Sequence, residues 1–195
     1  MLKIALTGNI ASGKSQVERL LRQFGIPVID ADEIVAKLYS DKAFVKKISD
    51  KFENYDFVKN DEIDRERLAK LVFSDNKLKR QIEEIVHPFV FDEIEKFFTE
   101  NRQKPCVVAS IPLLFECGWQ KYFDKIVLVT ADEKERQKRL IARNNLTLEQ
   151  AKIRIAAQMQ QEEKIKLSDF VIENNGSLKE LESRVKNLAG QLNGE

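Results

Sequence analysis

This sequence of 195 residues has little of several things that mark particular classes of protein. It has two cysteines, Cys106 and Cys117, in no metal-binding or redox spacing, so we expect a reduced pair in the cytoplasm. A single histidine, His87, excludes a metal centre built from several histidines. No apolar run approaches the roughly 20 residues of a membrane-spanning helix. Met1 leads directly into the first apolar run, so we also expect no leader peptide.

Net charge is nearly absent as well. The 33 basic and 32 acidic residues leave a formal charge of +1, which argues against a nucleic-acid partner held by bulk electrostatics. What is present is a globular composition, with 43% apolar residues in a chain long enough for one buried core and a small second lobe. We expect neither nucleic acid nor membrane as a partner, and a monomer or weak homo-oligomer.

The most informative segment is Gly8-Asn9-Ile10-Ala11-Ser12-Gly13-Lys14-Ser15, which spells the phosphate-binding loop G-x-x-x-x-G-K-S. An apolar run precedes it and an amphipathic helical pattern follows it, as the motif requires. The two glycines let backbone N–H groups curl around a phosphate oxygen, Lys14 offers charge to the β- and γ-phosphates, and the Ser15 hydroxyl can ligate magnesium. The loop therefore predicts binding of a nucleoside triphosphate.

Short apolar runs alternate with helical patterns along the chain. The strand-like runs lie at 2–7, 27–29, 105–110, 126–130 and 170–173, and helical periodicity fills 33–102, 146–167 and 178–192. Strands joined by long crossovers favour a parallel sheet covered by helices on both faces. The sequence therefore predicts an α/β fold in three layers, with the block 33–102 inserted beside the sheet.

Two carboxylates follow the second predicted strand, in Ile29-Asp30-Ala31-Asp32. If the backbone is extended there, Asp30 and Asp32 point the same way, at the edge of the sheet where phosphates lie. Asp32 can orient an acceptor hydroxyl or support magnesium, or it can be the N-cap of the next helix. Because the strand at 105–110 ends in Ala109-Ser110 without an acid, we favour the chemical role. The absence of an Asn-Lys-x-Asp motif counts against a GTPase.

Three arginines, Arg136, Arg139 and Arg143, follow the strand at 126–130 at spacings that place them on one face of a helix. Forked guanidinium donors match the oxygens of a transferring phosphoryl group. The set is either a lid that closes on ATP or a solvated face paired with Glu133 and Glu135. Behind a phosphate-binding loop, the lid is the favoured interpretation.

Taken together, these motifs resemble the dephospho-CoA kinase family over nearly the whole chain. Beyond the loop and Asp-Ala-Asp, the resemblance is carried by Ile63-Asp64-Arg65, Leu68-Ala69, Val72-Phe73, His87-Pro88, Pro112-Leu113-Leu114-Phe115-Glu116, Gln137, Arg139-Leu140, Arg143, Arg154, Gln158, Asp169 to Ile172 and Asn174. Asn9, Ala11 and Gln16 depart from residues common in the family's loop. The resemblance implies a P-loop nucleotide-kinase fold and transfer of the γ-phosphoryl of ATP to the ribose 3′-hydroxyl of dephospho-coenzyme A.

The resemblance also implies boundaries and roles. One kinase domain over 1–195 would have its core at about 1–32, 103–135 and 168–195, a helical substrate-binding insertion at about 33–102 and a lid at about 136–167. Catalysis would use Asp32, Lys14 and Arg139, and Mg²⁺ would use Ser15 and Asp32. ATP would contact Gly8, Ala11, Ser12, Gly13, Lys14, Ser15, Gln16, Arg139 and Arg143. The acceptor would contact Asp32, Arg65, His87, Leu114 and Glu116.

Several of these residues have structural alternatives. Arg65 can instead pair with Glu62 or Glu66, His87 can end one helix and start the next, and Glu116 can be a cap. Trp119 and Tyr122 pack either on an adenine or only on the core.

Two other function classes stay open. A kinase for a nucleoside monophosphate, shikimate or gluconate could share this core. A nucleoside monophosphate enzyme, however, needs dedicated arginines for the acceptor phosphate, and the insertion shows no matching motif. A non-enzymatic nucleotide switch would instead bind nucleotide tightly, with slow turnover and no acceptor-stimulated ADP release.

Overall fold

Short β-branched runs form the strands of this protein and amphipathic segments form its helices, in a computed structural model that describes residues 1–194. The strands of that region are β1 (Leu2–Gly8), β2 (Val28–Asp30), β3 (Val58–Lys59), β4 (Glu62–Ile63), β5 (Cys106–Ser110), β6 (Lys125–Thr130) and β7 (Phe170–Glu173). Its α-helices are α1 (Lys14–Gln23), α2 (Ala31–Leu38), α3 (Lys42–Lys51), α4 (Arg65–Ser74), α5 (Asn76–Glu100), α6 (Glu133–Asn144), α7 (Leu148–Ala156), α8 (Gln161–Lys166) and α9 (Leu178–Asn193).

The chain divides into two compact units, and the first consists of residues 1–30 and 98 onward. Its sheet has the order β2-β5-β1-β6-β7, and every pairing in it is parallel. From Ile4 to Gly8 the central strand is buried, as expected for a strand covered on both faces. The predicted α/β class with a parallel sheet is confirmed.

One face of this sheet carries a continuous apolar core. Side chains of α1, such as Leu21, and of α9, such as Val185, pack with Leu6, Val108 and Val127 of the sheet. Because the strands are parallel, β1, β2, β5 and β6 all end at the same edge, at residues 8, 30, 110 and 130. That edge therefore gathers the polar residues that follow each strand.

The second unit covers residues 31–97 and has its own core. Phe44, Ile48 and Phe57 are buried in it, and the rings of Phe44 and Phe89 meet edge to face at 5.3 Å. A hairpin of β3 and β4 interrupts the block predicted to be helical. Its turn places Asn60 and Asp61 at φ 54° and 61°, the backbone that Asn and Asp tolerate best in two-residue hairpin loops.

One structural alternative and one predicted helical stretch do not hold. The pair His87-Pro88 does not separate two helices, because α5 continues through Pro88. Pro88 has no N–H group to donate to the helix, but the side chains of Val86 and Val90 on either side of it are buried, and their packing holds the helix together. The stretch 146–167 is two helices, α7 and α8, separated by residues 157–160. The division into core, insertion and lid stays a prediction.

In the part of the chain that the structure describes, no helix is long and apolar enough to cross a membrane.

Protonation of His87 should weaken the folded state. Burial lowers the pKa of His87 from its ordinary 6.5, with Glu83 acting in the opposite direction. The pKa of His87 is therefore higher in the unfolded chain than in the folded protein, so the unfolded chain binds the proton more readily. The unfolding free energy falls as the pH drops below 6.5. We expect His87→Gln to make the loss of unfolding free energy between pH 8 and pH 5 smaller than in the wild type, measured by urea titration. Equal losses in both proteins would contradict this assignment.

Candidate active site

The loop between β1 and α1 is shaped by two glycines that admit no side chain. A Cβ on Gly8 would lie 2.6 Å from Ser12 Oγ and 2.8 Å from the carbonyl oxygen of Val129. Gly13 has φ +96°, and a Cβ there would overlap Asn174 Nδ2. Both positions therefore require glycine, for close packing at Gly8 and for backbone conformation as well at Gly13.

Ala11, in the middle of the loop, adopts φ 61°, the left-handed region that alanine disfavours. The departure from glycine at this position therefore stores backbone strain in the loop. Ser12, next to it, is completely buried, and no hydrogen-bond partner satisfies its hydroxyl oxygen.

Beneath the loop, Lys14 belongs to a cluster of polar side chains with little exposure. Lys14 Nζ lies 2.6 Å from Glu18 Oε1 and 3.6 Å from Asp30 Oδ2, and it also donates to Ser110 Oγ. The Ser110 hydroxyl in turn donates to Glu18 Oε1 at 2.5 Å. Sequence reasoning missed Glu18 and Ser110. The spacing of four residues between Lys14 and Glu18 was the signal for the first, since it places both on one helix face.

Asn174 and Arg139 brace the other side of the loop. Asn174, directly after β7, donates from Nδ2 to the carbonyl oxygen of Ser12 at 2.8 Å. Arg139 donates from Nη2 to the carbonyl oxygen of Asn174 at 2.8 Å and from Nη1 to those of Ala11 and Ser12 at 3.4 and 3.3 Å. Arg139 thus lies against the loop that is expected to hold ATP.

The three arginines of α6 make different contacts. Arg136 is buried, Arg139 contacts the loop, and Arg143 is exposed and donates to the side chain of Asn144 at 3.0 Å. If the arginines formed a solvated face, Glu135 would be one of their partners. Its carboxylate pairs with Lys138 at 2.7 Å. Helical spacing therefore placed the arginines on α6 correctly, but their contacts differ because each faces a different neighbour.

A segment after α7 closes onto the start of the loop. Gln158 Oε1 accepts from the backbone N–H of Ile10 at 2.7 Å, and Asn9 Nδ2 donates to the carbonyl oxygen of Met159 at 2.9 Å. Asn9 thereby makes a hydrogen bond that the family's more common glycine could not make. The loop and this segment are coupled through side chains 148 to 150 residues apart in sequence.

Glu116 anchors the same segment. Its Oε1 accepts from the backbone N–H of Met159 at 3.1 Å and lies 2.8 Å from Nζ of Lys164, a completely buried side chain. The ammonium is within ion-pair distance but outside the angles of a hydrogen bond. Leu114 is completely buried, whereas Leu113 beside it is exposed. Contacts of Glu116 and Leu114 with an acceptor stay predictions.

In the second unit, Asp32 and Arg65 lie together. Arg65 Nη2 is 3.5 Å from the carbonyl oxygen of Asp32, and its guanidinium lies over the ring of Tyr39 at 5.9 Å. Since α2 begins at Ala31, Asp32 is in its first turn and is not its N-cap. The condition under which Asp30 and Asp32 would point the same way, an extended backbone, is therefore not met, because the chain turns helical directly after Asp30. The side chain of Asp32 is exposed and that of His87 is partly buried.

A parallel sheet whose central strand runs into a glycine loop and a helix that starts with lysine defines a P-loop nucleotide-binding protein. The sequence model of the dephospho-CoA kinase family matches residues 2–180. The chain belongs to the dephospho-CoA kinase family.

Individual relatives agree with this assignment. The dephospho-CoA kinase of Symbiobacterium thermophilum is 41% identical over 94% of this chain and 78% of its own length. That of Thermus thermophilus is 39% identical over 98% and 92%. Among solved structures, TT1252 from Thermus thermophilus superposes with a TM-score of 0.85 at 38% identity, covering 98% of this chain and 97% of its own. Shikimate kinase from Acinetobacter baumannii, at 14% identity and a TM-score of 0.54 over 98% of this chain and 93% of its own, shares the fold alone.

Replacing Ala11 with glycine should stabilise the protein. Glycine relieves a left-handed strain of about 1 kcal/mol in the folded protein. It also gives the unfolded chain more conformational freedom, which offsets part of this gain, so the unfolding free energy should rise by about 0.5 kcal/mol. Ala142→Gly, in the last turn of α6, is the matched control and should lose about 0.5 kcal/mol. A loss at Ala11 as large as that at Ala142 would contradict the strain argument.

Neutralising Glu18 should strengthen ATP binding. The Glu18 carboxylate pairs with the Lys14 ammonium and so competes with the triphosphate oxygens for it. The negative charge of Glu18 would also repel the triphosphate. We expect Glu18→Gln to lower the Kd for ATP by about threefold to tenfold in calorimetry. Glu163→Gln, at an exposed carboxylate, should leave that Kd unchanged. Weaker ATP binding in Glu18→Gln would instead show that Glu18 positions Lys14 productively.

Proposed function

We propose that this protein transfers the γ-phosphoryl group of ATP to the 3′-hydroxyl of the ribose in dephospho-coenzyme A, giving coenzyme A and ADP. The observation that carries the proposal is the match to the dephospho-CoA kinase family over residues 2–180. The loop built by Gly8, Gly13 and Lys14 provides the nucleotide site that this reaction needs.

ATP would bind along the loop from Gly8 to Gln16. Ser12 is buried beneath the loop, and Ala11 and Gly13 supply the left-handed turns that let successive N–H groups face one anion. Lys14 is held among Glu18, Ser110 and Asp30, so its ammonium is placed at the loop before nucleotide arrives. Triphosphate oxygens would compete with these partners for the ammonium, and Glu18→Gln removes one of the competitors.

Residues of this chain fit a magnesium ion carried by ATP. Magnesium prefers oxygen ligands and usually keeps several waters, so one or two protein oxygens suffice. The Ser15 hydroxyl is exposed in the first turn of α1, directly after the loop, and the Asp32 carboxylate is exposed in the first turn of α2. Either would supply a hard oxygen ligand. When bound, the ion would neutralise charge on the β- and γ-phosphates.

On the acceptor side, Asp32 would position the 3′-hydroxyl and receive its proton. Phosphoryl transfer has a loose transition state, so holding the hydroxyl in line matters more than strong basicity. Arg65 lies against the backbone of Asp32 and presents an exposed guanidinium suited to an anionic part of the acceptor. The acceptor contacts that the family resemblance implies for His87, Leu114 and Glu116 stay part of the proposal.

Arg139 would supply forked donors to the transferring group, with Arg143 assisting. Its present partners are the loop carbonyls and Asn174, so its guanidinium is already held at the loop. We also propose a cytoplasmic enzyme that is a monomer or weak homo-oligomer. The thiols of Cys106 and Cys117 form no disulfide bond, as a reducing compartment would require.

The reaction is tested by ADP production with ATP and Mg²⁺ over a set of acceptors. Dephospho-coenzyme A should stimulate ADP release, and AMP, shikimate and gluconate should not. Stimulation by another acceptor would reassign the substrate, and tight ATP binding without stimulation by any of them would indicate a nucleotide switch.

Asp32→Asn tests the chemistry of the acceptor site. The amide is nearly the same size but cannot accept a proton, so we expect kcat to fall about 100-fold or more. The melting temperature and the Kd for ATP should stay near the wild-type values. Glu33→Gln, also exposed in the first turn of α2, is the matched control and should keep kcat within about twofold. Normal turnover in Asp32→Asn would place the proton acceptor elsewhere.

A further inference from the structure

A cavity of about 560 Å³ lies within the first unit, beside the start of the phosphate-binding loop. Asn9 of the loop, Arg136 of α6, Lys152 of α7 and Gln158 of the segment after α7 line it together with neighbouring residues. Its volume is in the range of sites that take a drug-sized ligand or a large part of one.

Arg136 is the unusual residue in this cavity. Its side chain is 5% exposed, and its Nε and Nη1 have no hydrogen-bond partner. Burial lowers the pKa of its guanidinium, opposed by the charges of Glu133 and Glu162, but an arginine stays protonated in a protein. A buried cation whose donors are unsatisfied disfavours folding, so its presence calls for a ligand that the donors can meet.

The carboxylates around the cavity do not satisfy these donors. Asp132, Glu133 and Glu162 line it but are exposed to water, which screens their charge. Asp132 Oδ1 accepts from Asn175 Nδ2 at 2.9 Å, and Glu133 Oε1 accepts from Gln137 Nε2 at 2.8 Å. The buried polar atoms of the lining that have no partner are therefore two donors of the Arg136 guanidinium and one acceptor, Asn9 Oδ1. Lys152, an exposed lining residue, adds a second positive charge.

We propose that this cavity binds a phosphate group of a reactant, with Arg136 as its buried ligand. A guanidinium fork matches phosphate oxygens, and the cavity adjoins the loop through Asn9, so a bound phosphate would be next to the nucleotide site. The group would come either from the triphosphate of ATP or from the diphosphate of dephospho-coenzyme A. The inference rests on the proposed function for the identity of these reactants. It assigns to Arg136 a contact separate from those of Arg139 and Arg143.

The test measures binding instead of turnover. Calorimetric Kd values for ATP and for dephospho-coenzyme A are compared in the wild type, Arg136→Gln and Lys138→Gln. Lys138 is the matched control because it is an exposed cation on the same helix, paired with Glu135. We expect Arg136→Gln to raise the Kd of one reactant about tenfold or more, and the reactant affected identifies the source of the phosphate. Lys138→Gln should change neither.

A melting experiment separates ligand binding from a structural role. Removal of a buried charge with unsatisfied donors should leave the melting temperature of the ligand-free protein unchanged or raise it, while ligand binding weakens. Unchanged Kd values for both reactants would overturn the proposal, whatever the melting temperature. If Arg136→Gln does not fold, Lys152→Gln at the exposed edge should raise the Kd of one reactant by about threefold, and its failure to do so would equally overturn it. Because no turnover is needed, a failed kinase assay would not be confused with either result.

Discussion

Everything at the nucleotide site depends on the close approach of β1, β6 and β7 to one short loop. Gly8 has no room for a Cβ because Ser12 and the backbone of Val129 fill the space, and Gly13 has none because Asn174 does. Asn174 and Arg139 then bind the outward carbonyls of the loop. These contacts satisfy the carbonyls of Ala11 and Ser12, so the backbone of the loop is held in one conformation without an anion.

Several buried charges of the first unit lie around the same loop. Lys14, Glu18 and Asp30 lie below it, joined through Ser110, so the lysine is held by opposite charges in a site with little water. On the side of Asn9, Gln158 and Met159 close onto the loop, and Glu116 ties that segment to the buried Lys164. Buried polar groups of this kind are favourable only when they are paired, so the pairing defines one conformation of the site.

Much of this could be predicted from local sequence. The loop, the strand ends and the α/β alternation follow from glycine spacing and hydrophobic period, which depend on near neighbours. The hairpin at residues 58–63, the helix that passes through Pro88 and the break after Ala156 could not be predicted in this way. At Pro88 and after Ala156, contacts with other residues outweigh local preference. The hairpin turn follows the local preference of Asn60 and Asp61, which helical periodicity does not detect. At Pro88, buried apolar side chains before and after it compensate for one lost donor.

The sequence by itself predicted a nucleoside triphosphate site at residues 8–15, because the steric needs of a phosphate loop are met by eight consecutive residues. It also carried the family resemblance, through motifs in a characteristic order. Only the tertiary structure decided what Glu18, Ser110 and the arginines of α6 contact. Helical spacing determines which face of the helix carries a side chain, but the contacts of that side chain depend on the element that packs against the face. Arg136 therefore lines a cavity while Arg139, one turn away, holds the loop.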